Sequence, residues 1–307
     1  MKKQGIIILL LLLSFLLNSC AYSNRTTGSS NTNNSYSLIE DKRLEEAIRN
    51  QLDLSEDIEL TQNHLESLTA LEASSSKIKS IEGLQYAINL EELDVTNNEI
   101  EDLKPLSNLE KLLDLFLGHN NIKDLSPLSN CVSLKRLYIH SNQVKSLKPL
   151  RNLVNLETIT LENNNISSLE GIENMKNLRS LYADSNKITE ITPVSQLSSL
   201  ETLYLSNNKI RDISPIQNLI NIESLKLENN KIKDISFLKE LTQLNNVNLE
   251  NNQIDDISVF VELAENGAFN FKYKGLDYDI NIAGNPIKTK KDDTIKKLEQ
   301  LGVRVKY

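Results

Sequence analysis

The 307-residue chain sets 42 acidic side chains against 34 basic ones, a net charge of −8. That balance leaves no electrostatic footprint for nucleic acid or for an anionic membrane surface. With only two cysteines, Cys20 and Cys131, no disulfide framework is expected.

Residues 1–20 read as a leader rather than as structure. Lys2 and Lys3 form a positive start, and Ile6 to Leu17 is apolar apart from Ser14. The run is shorter than the ~20 residues a membrane span needs and fits the apolar region of a secretory signal. It ends Leu17-Asn18-Ser19-Cys20, which resembles the lipobox of bacterial lipoproteins. That resemblance implies cleavage before Cys20, lipidation of its thiol and a membrane-anchored protein on the extracytoplasmic face. A plain secretory signal or an uncleaved anchor is the alternative. Residues 21–37 are rich in Ser, Asn and Thr, cannot offset the entropy of ordering, and as a coil would reach roughly 20–25 Å. They are expected to be a flexible tether.

From Leu38 the spacing turns helical. Leu44, Ala47, Ile48 and Leu52 share one face, with Asp41 as N-cap. Residues 38–67 therefore read as an N-terminal cap, and 68–254 as a repeat array. Eight consecutive 22-residue units open L-x-x-L-x-L-x-x-N-x-I, at Leu90, Leu112, Leu134, Leu156, Leu178, Leu200, Ile222 and Leu244. A degenerate unit precedes them, with Ala73 replacing a leucine and Ser76 the asparagine. A fixed period in this range means a solenoid whose units bury a shared core only by stacking. Beyond Ile254 the register breaks: 258–265 looks helical, Phe269, Phe271 and Tyr273 alternate as in a strand, and the pattern returns at Ile280, Ile282, Asn285 and Ile287. A helix over 292–301 and an extended piece at 303–307 complete a C-terminal repeat and cap, 255–307.

The fold class is thus α/β: a curved, right-handed leucine-rich-repeat solenoid with a parallel β-sheet on the concave face, 3₁₀ turns on the convex face and a helical N-terminal cap. Each repeat asparagine should turn inward and bond backbone groups of its own and the next turn. Pro105, Pro127, Pro149, Pro193 and Pro215 share one convex position. Ser126, Thr192 and Ser214 precede three of them as capping residues do. Asp102, Asp124, Asp212, Asp234 and Asp256 recur as turn hydrogen-bonders rather than metal ligands. Cys131 and Met175 take a leucine position and should be buried.

The string Asn-x-Ile-x-Asp-Ile/Leu-x-Pro-Leu resembles the 22-residue class of repeats found in bacterial internalins. The stretch from Thr61-Gln62-Asn63-His64-Leu65 to Ile78-Lys79-Ser80-Ile81-Glu82-Gly83-Leu84 resembles their junction of cap and first repeat. The likeness spans about residues 40–287. It implies a surface protein that binds another protein with its concave face.

One outward strand column reads Glu72, Asp94, Phe116, Tyr138, Thr160, Tyr182, Tyr204, Lys226, Asn248, and it holds four of the six aromatics between residues 68 and 254. Rings grouped on a rigid concave sheet suit a partner site; the competing reading is that they merely stabilise the sheet. The next column adds His140, Glu162 and Asp184, with His119 close by. The candidate binding residues are Phe116, Tyr138, His140, Tyr182, Tyr204 and His119, with Cys20 for lipidation. The partner is expected to be a protein, with a glycan or cell-wall ligand as the alternative. A cytosolic scaffold is disfavoured by the leader. No enzyme, metal or cofactor motif stands out; a site of His119 and His140 with Asp114 or Asp184, or a hydrolase using His140, is the weakest reading.

Overall fold

The computed structural model describes residues 37–271, 277–288 and 291–307. The leader, Cys20 and the tether up to residue 36 lie outside the described residues. Helix α1 (Lys42–Gln51) starts at Asp41, whose carboxylate accepts from Arg43 N and also from Lys79 N and Ser80 N in the first turn of the array. Leu44 and Ile48 bury the inner face of α1. Helix α2 (Gln62–Glu66) opens with a capping box in which Thr61 accepts from His64 N and His64 Nδ1 accepts from Thr61 N.

Three-residue strands then recur at the repeat period: β1 (Ala70–Glu72), β2 (Glu92–Asp94), β3 (Asp114–Phe116), β4 (Arg136–Tyr138) and β5 (Thr158–Thr160). They continue as β6 (Ser180–Tyr182), β7 (Thr202–Tyr204), β8 (Ser224–Lys226) and β9 (Asn246–Asn248). The last two are β10 (Ile280–Asn281) and β11 (Val305–Lys306). All belong to one parallel sheet in sequential order. Within a unit the leucines alternate inward, as Leu134, Leu137 and Ile139 do, and are fully buried. Each strand offers only one or two inward side chains, so the apolar contact that stabilises it comes from the turns above and below.

The asparagines bond as a ladder, and its direction corrects the expectation. Asn120 Nδ2 donates to Leu117 O and Gly118 O of its own turn and to Val95 O of the preceding one, while its Oδ1 accepts from Ile100 N, also of the preceding turn. The link runs to the turn before, not the turn after, because the side chain leaves its strand toward the loop already laid down. The same bonds recur from Asn98 to Asn285.

On the convex side 3₁₀ turns recur, with proline in the first turn at Pro105, Pro127, Pro149, Pro193 and Pro215. Ser126 and Ser214 do not cap them. They lie inside the turn, and Asp124 and Asp212 accept from their backbone N–H and their hydroxyls. Asp102, Asp234 and Asp256 accept the matching N–H groups of Lys104, Ser236 and Ser258. Thr192 is likewise inside its turn, with Ile191 ahead of it and no side-chain cap. A carboxylate two residues back reaches the free N–H better than a hydroxyl already inside the turn. Gly171 stands in the proline column with φ +115°, and an added Cβ would lie 2.4 Å from Leu147 O; that unit has a plain turn in place of a 3₁₀ helix.

Helices α3 (Val259–Glu265) and α4 (Lys291–Gln300) fall where the sequence places them. The expected strand over Phe269 and Phe271 does not form. Phe269 has φ +64°, is buried against Phe260, and donates its N–H to Leu244 O, so the chain turns there. Tyr273 lies outside the described residues. Among the described residues no helix is long and apolar enough to cross a membrane.

Candidate functional site: the concave sheet face

The register aligns Asp94, Phe116, Tyr138, Thr160, Tyr182, Tyr204, Lys226 and Asn248 in one column. The four rings are half-buried and paired. Phe116 and Tyr138 stack at 4.6 Å and 6°, whereas Tyr182 and Tyr204 meet edge to face at 5.1 Å and 87°. Both separations are close to one strand step of about 4.8 Å, so each ring stands over its own strand. Lys226 places Nζ 4.2 Å from the Tyr204 ring centroid, and Tyr204 Oη lies 3.1 Å from Ser224 Oγ. Thr160 and Asn248 depart from the expected exposed column: each is only 8% exposed. For Thr160 the cause is its short side chain, set between strands that carry tyrosines.

The next column toward the strand ends holds Gly118, His140, Glu162, Asp184, Ser206, Glu228 and Glu250. Gly118 has a steric purpose, since a Cβ there would lie 2.5 Å from His140 Nε2. The imidazole of His140 lies over the bare backbone and meets His119 edge to face at 4.9 Å. Burial lowers the His140 pKa, and His119 beside it adds to the shift. Glu162 and Asp184 are pushed the other way, above the ordinary carboxylate range. Burial is the main cause for both, with repulsion from Asp184 on Glu162 and from Glu228 on Asp184. Asp184 Oδ1 accepts from Ser206 N at 2.6 Å. One oxygen each of Glu162 and Glu228 is buried without a hydrogen-bond partner. The sequence places Glu162 and Asp184 in this column without choosing them as binding residues, and it does not single out Glu228; the recurrence of acids at one strand position is the signal that finds it.

In the column on the other side of the rings, Asp114 pairs with Arg136 at 2.5 Å. Asp114 is therefore committed to an ion pair rather than gathered with the histidines. Among the described residues no three His, Cys, Asp or Glu side chains come together to hold a metal ion. Cys131 is fully buried, with its thiol pushed up to about 11 by burial and by Glu110.

A single parallel sheet with one short strand and one inward asparagine per 22-residue turn defines a repeat solenoid. The family model described as Leucine Rich repeats (2 copies) matches residues 88–130, 110–152, 132–174, 154–196, 176–218 and 220–262. Among solved structures, internalin C2 of Listeria monocytogenes is 32% identical, with 76% of this chain and 92% of that chain covered and a TM-score of 0.59. The functional domain of InlJ from the same organism is 21% identical over 85% of this chain and 54% of its own, with a TM-score of 0.73. The leucine-rich-repeat ectodomain of an Arabidopsis thaliana membrane receptor kinase is 24% identical over 61% of this chain and 24% of its own, with a TM-score of 0.55. No curated protein matches the chain. The chain belongs to the leucine-rich-repeat family and is internalin-like. Proteins of this family in general mediate protein–protein interaction and are typically not enzymes, and the internalin-like relatives are bacterial surface proteins.

Proposed function

We propose that the chain is a lipid-anchored bacterial surface protein that binds another protein through its concave face. The observation that carries this reading is the column Phe116, Tyr138, Tyr182 and Tyr204, half-buried and paired on consecutive or near-consecutive strands. Large amphipathic rings on a preorganised surface dominate protein hot spots because they lose little conformational entropy on binding. His119 and His140 extend the surface at one end. Phe116 and Tyr138 each spend one ring face on the other, which favours a protein ligand over a glycan that would lie flat on the rings. The leader and Cys20 support anchoring in the membrane by acyl chains, and the Arabidopsis ectodomain, solved in complex with Casparian strip integrity factor 2, supports a protein partner by analogy of fold.

The test is crosslinking capture from intact cells, with Phe116, Tyr138, Tyr182 and Tyr204 all changed to Ala as the control. Loss of a specific captured protein in the control is expected. Equal capture by both forms would remove this face from the reading. Palmitate labelling that persists in Cys20→Ala would remove the anchor.

A further inference from the structure

The sheet begins at β1, and among the described residues no strand lies on its outer side. Ala73 N and Ser75 N donate to Asp94 O and Thr96 O, and Thr69 O accepts from Glu91 N. Bonding residues alternate along a strand of a parallel pair, so Thr69, Leu71, Ala73 and Ser75 commit their backbone to β2. Ala70, Glu72 and Ser74 turn theirs to the open side. Ser76 Oγ donates to Ser74 O, which leaves the N–H groups of Glu72 and Ser74 and the carbonyls of Ala70 and Glu72. Helix α1 covers the end of the core with Leu44 and Ile48 but stands off from this edge. Between them lies a cleft of ≈ 570 Å³, with Arg43, Glu46, Asn50 and Gln51 on the helix side and Glu72 and Ser74 on the strand side. Arg43 is held there, donating to Lys77 O. The register sets Glu72 beside Asp94 and Ala70 beside Glu92. Among the described residues, no basic side chain forms an ion pair with Glu46, Glu72, Glu92 or Asp94.

We propose that this cleft takes one extended segment of a partner protein as a further strand on β1, with a lysine or arginine directly across from Glu72. An open edge is a template for another chain: its main-chain groups supply the affinity, and the side chains beside it choose the sequence. Here the choice is electrostatic. Opposite charges directly across a strand pair stabilise it and like charges oppose it. The position across from Glu72 extends a row that so far holds only the acids Glu72 and Asp94, and Glu46 faces the same cleft from the helix. A basic segment therefore gains at each of these contacts, whereas an acidic one is repelled. The site lies at the end of the sheet, apart from the rings, and does not depend on what they bind.

The probe is the peptide acetyl-Lys-Val-Lys-Val-Lys-amide, added to the full chain in mild detergent and followed by backbone amide resonances and hydrogen exchange. The amides of Glu72 and Ser74 should exchange freely in the chain alone and become protected as the peptide saturates it. Two further peptides carry N-methyl groups at alternate amides, one set on each edge. One of the two should bind at least about tenfold more weakly, having lost its bonds to the strand, and the other should bind as the parent does. Replacing the lysines by glutamate should abolish binding, and Glu72→Lys, at an exposed position, should restore it. Equal binding of both methylated peptides would mean that charge alone attracts them and would overturn the added strand. So would failure of the parent peptide to saturate, or Glu72 and Ser74 amides already protected without it. The chain with Phe116, Tyr138, Tyr182 and Tyr204 changed to Ala should bind the peptide unchanged; loss of binding there would place the peptide on the rings and overturn the edge site.

Discussion

Replacing Asn164 tests the ladder at the middle of the array. Its Nδ2 donates to Ile139 O at 3.0 Å, Leu161 O at 3.1 Å and Glu162 O at 3.3 Å, and its Oδ1 accepts from Val144 N at 2.9 Å. All three carbonyls have a second donor: Ile139 O also receives Asn142 Nδ2, Leu161 O also receives Asn186 Nδ2, and Glu162 O also receives Ser141 N. In Asn164→Ala those oxygens stay partly satisfied, whereas the buried Val144 N–H loses its acceptor. One orphaned backbone donor costs ~1–3 kcal/mol, so the loss should be about 2 kcal/mol. Asn164→Asp keeps the shape and the acceptor for Val144 but aims a second oxygen at three carbonyls, and it should cost more than the alanine variant. Leu161→Ala, in the same turn and fully buried, sets the scale at ~2–5 kcal/mol. Tyr182→Ala, on the concave face, should fall well below all three. Urea unfolding followed by far-UV circular dichroism gives the four values. An Asn164→Asp variant as stable as wild type would refute the ladder, because an amide and a carboxylate are equivalent only where the Nδ2 bonds contribute nothing.

Two further expectations concern the acidic column and its neighbour. The folded-state pKa of Glu162 is raised above its ordinary value of 4.5, chiefly by burial, so the folded chain holds this proton more tightly than the unfolded one. The stability it contributes is complete in acid and is lost as pH rises from about 4.5 through the folded value. Glu162→Gln should therefore raise the urea midpoint at pH 7, with a gain that vanishes in acid; a gain independent of pH would contradict the shift. Gly118→Ala should push the His140 ring off its seat and bring its pKa back up toward 6.5, the ordinary value. A histidine NMR titration reads it, and an unmoved His140 would mean the ring does not rest on Gly118.

Much of the coil is legible in the sequence because its inward positions are chemically uniform. Leu134, Leu137 and Asn142 are each repeated at the same spacing by neighbours that do the same work, and Ile280 with Asn285 shows the pattern returning after a break. What the period conceals is whatever depends on neighbours in space. The ladder's direction is one case, since a 22-residue repeat looks the same whether Asn120 reaches forward or back. Thr160 is another: alternation marks it outward, and only its place between Tyr138 and Tyr182 leaves it covered. Phe269 read as strand because Phe271 and Tyr273 alternate with it, but its contact with Phe260 decides the backbone. Concave rings were readable as a column and Glu162 and Asp184 as members of the next one, but the burial that sets these acids and Glu228 apart from ordinary solvated charges is not written in the period.

The unit that ends at Asn285 takes 33 residues to complete one circuit from Asn252, eleven more than any other. Even so, Ile254 N donates to Asn285 Oδ1 at 3.0 Å, and Asn285 Nδ2 donates to Leu249 O at 2.8 Å. The winding therefore tolerates additional chain provided it bulges between anchor points rather than within them. That circuit marks a natural graft site, where a foreign peptide can be carried on the scaffold without altering how the neighbouring rungs are tied.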